Sequence, residues 1–146
     1  MIVYQVLKNK PAVFRCFTGM NLVAFQKLLP AFERAYEADL DRRDQARSTK
    51  RQRERGGGRN GILKGMEDKL LFILFYFKIY PLQEVQGFLF GMGQSQAGDW
   101  IHRLTLILNR ALGYEKQLPA RKAHDIEQVL KMCPALEFII DGTERP

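Results

Sequence analysis

The chain has 146 residues and a mass of 16.9 kDa, the length of one ordinary domain or of a small domain plus the start of another, which excludes two full catalytic domains. Hydrophobic residues make up 46% and include ten Phe, enough for a packed core and too much for a wholly disordered chain. With 23 Lys and Arg against 16 Asp and Glu, a net +7 and a pI near 9.6, the balance favours a polyanionic partner without choosing among DNA, RNA and an anionic membrane.

In chain order, residues 1–17 show no signal-peptide pattern, and Cys16 lies far from Cys133 with no CxxC, so both read as reduced thiols in a cytosolic protein. Asn21 is placed to cap a helix whose apolar positions Leu22, Phe25, Leu28, Leu29 and Phe32 recur at three- and four-residue spacing, with Pro30 expected to kink or divide it. Between Asp41 and Lys64 stand nine basic residues and three acidic ones, a local net of +6. The same stretch is rich in Gly and almost without apolar residues before Ile62, so it reads as a flexible basic linker.

Past the linker, residues 67–80 are apolar on every side of a helical wheel, the pattern of a helix at the centre of a bundle. Its acidic start, Glu67 and Asp68, suits the helix dipole, and Pro81 ends it. The longest apolar run, residues 70–77, is eight residues long, whereas a bilayer needs about 20. A second helix over 82–90 places Leu82, Val85 and Leu89 on one face, and Gly91 and Gly93 bracket a tight connection.

A third helix runs from Gln94 to about Leu112, with an apolar stripe of Trp100, Ile101, Leu104, Ile107, Leu108, Ala111 and Leu112 and a polar first turn and a half. After Pro119 come a shorter helix over about 124–132 and an apolar run, Phe138, Ile139 and Ile140, that reads as a buried strand six residues from the end of the sequence. The two histidines, His102 and His124, have no neighbours at a closed metal-site spacing, so a structural zinc is not expected.

A short helix, a Gly-containing turn and a second helix with a polar exposed start match a helix-turn-helix, whose second helix enters the major groove. Gln can offer a donor and an acceptor to adenine, Arg can pair with guanine, and Ser reaches a base or a phosphate. The expected readers are therefore Gln94, Ser95, Gln96 and Arg103, with His102 on a phosphate. The same pattern also fits an amphipathic helix in an all-α bundle that touches no DNA. Gly98 counts against a rigid recognition helix and reads either as a close approach to the DNA backbone or as a tolerated defect costing roughly 1 kcal/mol. Asp99 faces phosphates poorly, and Trp100, on the apolar stripe, reads as core before it reads as a stacking platform. Along the linker, Arg42, Arg43, Arg47, Lys50, Arg51, Arg53, Arg55 and Arg59 are candidate phosphate contacts or a solvated charge run. Asp141, directly after the strand, reads as a metal-binding carboxylate or as the start of an Asp-Gly turn.

Several of these strings together carry a resemblance. They are the run from Lys69 to Lys78 with Tyr80-Pro81; Gly87-Phe88-Leu89-Phe90-Gly91-Met92 followed by Gln94-Ser95-Gln96; Trp100-Ile101; Pro119 with Arg121; and Ile140-Asp141-Gly142-Thr143-Glu144-Arg145-Pro146. The chain resembles the N-terminal part of insertion-sequence transposases of the DDE superfamily, in the group with a helix-turn-helix ahead of the nuclease domain. Where relatives often have a Ser cap and a Thr-Val-Ser type of segment, this chain has Gly93 and Ala97-Gly98-Asp99. The resemblance implies that the last string opens a ribonuclease-H-like catalytic domain and that Asp141 is the first of three metal-binding carboxylates. It also makes plausible a truncated remnant or the first of two overlapping reading frames.

The fold expected is mainly α, a helical bundle containing a helix-turn-helix with a single unpaired C-terminal strand from a truncated ribonuclease-H-like domain. Residues 1–40 would be an N-terminal helical segment, 41–65 the basic linker, 66–117 the DNA-binding domain, and 118–146 a connector helix with the first strand of the catalytic domain. The function expected is sequence-specific binding of double-stranded DNA at the terminal inverted repeats of a mobile element, in a cytoplasmic, nucleoid-associated prokaryotic protein, with a homo-oligomer left open. No catalysis and no cofactor are expected of this chain alone, and Mg2+ is implied for a complete transposase. A helical protein-assembly module and a free-standing DNA-binding regulator are the alternatives.

Overall fold

The computed structural model describes residues 1–55 and 61–114. Among them are six helices and no strand: α1 (Tyr4–Leu7), α2 (Pro11–Thr18), α3 (Leu22–Gln45), α4 (Met66–Ile79), α5 (Gln83–Phe90) and α6 (Gln94–Tyr114). The helix expected over 124–132, the strand over 138–140, Asp141 and Arg59 lie outside the described residues.

The start of the chain is punctuated by local chemistry. Pro11 occupies the first turn of α2, where its missing N–H costs nothing, and Gly19 closes the helix in the left-handed region at φ 76°. Thr18 donates from Oγ1 to the Phe14 carbonyl at 2.8 Å, and Asn21 caps α3 by accepting from the Ala24 N–H at 2.8 Å.

Pro30 does not divide α3, which runs on to Gln45. Pro30 and Gln26, the residue whose carbonyl loses its helical donor, are both exposed. On the opposite side Phe25, Leu28, Phe32, Ala35 and Tyr36 form one buried stripe that continues across the proline. Packing along that stripe outweighs the roughly 3 kcal/mol that an interior proline costs. Arg42 and Arg43 consequently sit on an ordered helix and not on a linker that starts at Asp41.

Helix α4 is the hub. Seven consecutive residues, Lys69 to Phe75, are buried, as its apolar circumference requires. It packs against α1, α2, α3 and α6. The rings spread from it in both directions. Phe75 meets Phe17 of α2 at 5.4 Å and Phe90 of α5 at 5.5 Å, and Phe72 meets Phe90 at 4.9 Å. A second aromatic knot, with Tyr4 5.3 Å and Phe14 5.1 Å from Phe25, fastens α1 and α2 onto α3. One core therefore embraces the N-terminal helices and α4 to α6. Tyr80 ends α4 in the left-handed region at φ 52°, just ahead of Pro81.

Helix α5 presents a different face from the one its apolar spacing selects. Leu82 is 76% and Val85 45% exposed, while Gln86, Gly87 and Phe90 turn inward. Two anchors set this rotation: the Phe90 ring between Phe72 and Phe75, and Gln86 Nε2 donating to the Phe72 carbonyl at 2.9 Å. In a two-turn helix that is apolar on several sides, these outweigh the Leu82, Val85 and Leu89 stripe.

Candidate nucleic-acid interface

The connection between α5 and α6 is built by glycine. Gly91 takes φ 73°, its N–H donating to the Phe88 carbonyl at 3.3 Å, while the Met92 N–H donates to the Gly87 carbonyl at 2.8 Å. This double closure is a Schellman motif, with Met92 buried beneath it. A Cβ on Gly87 would lie 2.7 Å from the Met92 carbonyl oxygen, so no larger residue fits there. Helix α6 then starts at once, the Ala97 N–H donating to the Gly93 carbonyl at 3.0 Å.

On α6 the two faces separate cleanly. Ala97, Ile101, Leu104, Ile107, Leu108 and Ala111 are sealed into the core, and Gln94, Ser95, Gln96, Asp99 and His102 are exposed. Four of the five reader and phosphate candidates on this helix thus share the solvent side. Gly98 is buried, and a Cβ there would lie 3.1 Å from Gln83 Oε1, the movable end of a side chain on α5. Trp100 is partly buried against the core, as the apolar stripe requires.

Arg103, the fifth candidate, is placed differently. Its Nε donates to Asp39 Oδ2 of α3 at 3.1 Å, and its guanidinium carbon lies 4.8 Å from the Tyr36 ring and 5.5 Å from that of Trp100. With a side chain only 20% exposed, it braces α6 against α3 and is not free to reach a base. Asp39 also accepts from Arg43 Nε at 2.8 Å and stands 3.7 Å from Arg42 Nη2. Lys69 completes the cluster, its buried Nζ donating to the Leu63 carbonyl at 2.9 Å and lying 5.4 Å from Tyr36. Burial pushes the Lys69 ammonium below the ordinary lysine range, and the neighbouring Arg103 charge adds to the effect.

Asp39, Tyr36 and Lys69 escape a search for readers, although two left a trace. Asp39 falls seven residues after Phe32 and fourteen after Phe25 on the buried stripe, and Lys69 stands directly before the apolar run of α4.

Beside this cluster a groove of about 530 Å³ runs along α6, lined by Arg43, Gln96, Asp99, Trp100, His102, Arg103 and Leu106. The basic stretch continues past it. Arg55 bonds to Asp41 at 2.7 Å and from Nε to Asp44 at 2.8 Å, and Arg51 and Arg47 lie 3.8 and 3.9 Å from Asp44. The hydrogen bond from Arg55 holds the Asp44 carboxyl below the usual carboxylate range. Arg47, Lys50, Arg51 and Arg53, with Thr49 and Gln52, line a second open depression of about 840 Å³. At the far end of the stretch, Leu63 is buried.

Residues 63–113 match the family model described as the helix-turn-helix of DDE superfamily endonuclease. That segment is similar to a DDE-superfamily helix-turn-helix. The match begins at the buried Leu63 and takes in α4, the Schellman turn and nearly all of α6. Helix-turn-helix units in general bind DNA through their second helix. No curated protein and no solved structure matches the chain. Among the described residues, no helix is long and apolar enough to cross a membrane, and no three His, Cys, Asp or Glu converge as metal ligands.

Proposed function

We propose that this chain binds double-stranded DNA at the terminal repeats of its own mobile element, as the N-terminal part of a transposase. The observation that carries the reading is the first turn and a half of α6: Gln94, Ser95 and Gln96 stand exposed on a helix whose other face is locked into the core behind a glycine turn. Rigid support from below and amide groups above are what direct readout in a major groove requires. Gln94 and Gln96 would address adenine edges, Ser95 a base or phosphate, and His102 a phosphate. Arg42, Arg43, Arg47, Lys50, Arg51, Arg53, Arg55 and Arg59 would follow the backbone, where each neutralised phosphate contributes about 0.9 to the slope of log K against log salt. Arg103 would act on recognition by holding α6 in place.

On the same reading the chain alone does not catalyse strand transfer. Asp141 would supply the first metal-binding carboxylate, with Mg2+, only within a complete catalytic domain.

A gel-shift titration at physiological salt compares the terminal inverted repeat with a shuffled duplex of equal length. The repeat is expected to bind more tightly, and the Q94A/S95A/Q96A variant to lose that preference, each bidentate Gln pair being worth about 1–3 kcal/mol. Equal binding of the two duplexes by the unaltered protein overturns the assignment.

A further inference from the structure

We infer, on the DNA-binding reading above, that Asp99 is a specificity-determining residue of α6, its carboxylate accepting from the exocyclic amino group of one cytosine in the major groove. Ser95, Asp99 and His102 follow one another at four- and three-residue spacing, so they form one stripe along the helix, and all three are exposed. The stripe lies opposite Ala97, Ile101 and Leu104, which are sealed into the core. Asp99 stands three residues after Gln96, about 4.5 Å further along the helix axis, and successive bases of a strand are about 3.4 Å apart. A helix whose Gln96 addresses one base edge therefore brings Asp99 to a neighbouring one.

The carboxylate is uncommitted. Among the described residues Asp99 makes no hydrogen bond and no ion pair, although Arg43 and Arg103 line the same groove of about 530 Å³. Both arginines are bonded to Asp39 instead. An anion left unpaired on the face that meets a polyanion lowers affinity unless a donor on the DNA meets it. In the major groove thymine presents O4 and guanine O6 and N7, acceptors that repel a carboxylate, and the adenine amino group stands beside the N7 acceptor. Cytosine offers an amino donor with no acceptor of its own beside it. Asp99 thus acts by rejecting the other bases as well as by attracting this one.

Selection of bound duplexes from a randomised library, with the full chain at fixed salt, tests this. The wild-type chain is expected to select cytosine at one position, and D99A to lose that preference by about tenfold or more while the other positions stay selected and the helical circular dichroism is unchanged. D99N is expected to exchange cytosine for adenine at that position, since Asn pairs with the adenine edge, a change of base that a merely structural role would not produce. Replacing that C·G pair by T·A should weaken the wild-type chain by the same factor and leave D99A unaffected. Identical selected sequences for wild type, D99A and D99N overturn the inference and leave the DNA-binding reading standing, whereas a wild-type chain that selects no sequence overturns both. If D99A and D99N weaken all duplexes alike, Asp99 only supports α6, and the inference fails.

Discussion

Asp39 gathers three arginines, of which Arg43 and Arg103 bond to the same carboxylate oxygen from two different helices. Its side chain is 12% and that of Arg103 20% exposed, so the pair is only weakly screened. A charge-assisted hydrogen bond in such a setting is worth about 1.5–3 kcal/mol. Asp39→Ala and Arg103→Ala should each lower stability by about that much, and the double-mutant cycle in urea should show coupling between them. Additive losses would mean that Arg103 is not held by Asp39. The glycines of the turn separate in sign. Gly98→Ala meets only the tip of the Gln83 side chain, which can move, and should be neutral or stabilise by up to about 1 kcal/mol. Gly87→Ala drives a methyl group into the Met92 carbonyl and should lower the melting temperature, so equal melting temperatures for the two variants would refute this account of the turn. The burial of Asp39 is legible in its register with Phe25 and Phe32. Its partner Arg103, 64 residues away, is not, because no local pattern encodes a contact between α3 and α6.

Elements were read with uneven success for physical reasons. The centrality of α4 follows directly from an apolar run too continuous for one face, and the Asn21 cap from its side chain. Pro30 misleads because it lies on the exposed side of α3, and α5 misleads because two long-range anchors, the Phe90 ring and the Gln86 hydrogen bond to the Phe72 carbonyl, set its rotation. The basic stretch looks uniform in sequence, yet its charges are unequal in the fold. Arg51 and Arg55 are engaged by Asp41 and Asp44, whereas no ion pair among the described residues involves Lys50 or Arg53. Among the described residues the latter two have no ion pair to break before they meet phosphates. Lys50→Gln and Arg53→Gln should each reduce the salt slope of DNA binding by about 0.9 while leaving the ratio of repeat to shuffled affinity unchanged. Arg55→Gln should reduce it by less. A fall in the ratio would move these residues from backbone contacts to base readers.

At the scale of the molecule, a boundary near residue 40 is plausible on composition but divides what packing joins. The charge-rich stretch that interrupts the apolar pattern is flanked by α3 and by Leu63, and both enter the same core. The helix-turn-helix match starts at residue 63, yet α4 relies on α2 and α3 for partners and α6 relies on α3. The presence of a helix-turn-helix could therefore be read along the chain, and its dependence on the first 45 residues could not, since that dependence lies in side-chain complementarity across long sequence separations. The tie from Asp39 to Arg103 joins the two parts sideways, through space, independently of residues 56–60. Covalent continuity at that point should then be dispensable: peptides 1–55 and 61–146, produced separately and mixed, are expected to reassemble into a stoichiometric complex with native helicity, whereas the same mixture carrying Asp39→Ala should reassemble less well. A protein assembled in this manner should tolerate a cut in the middle of its most cationic stretch and still behave as one body.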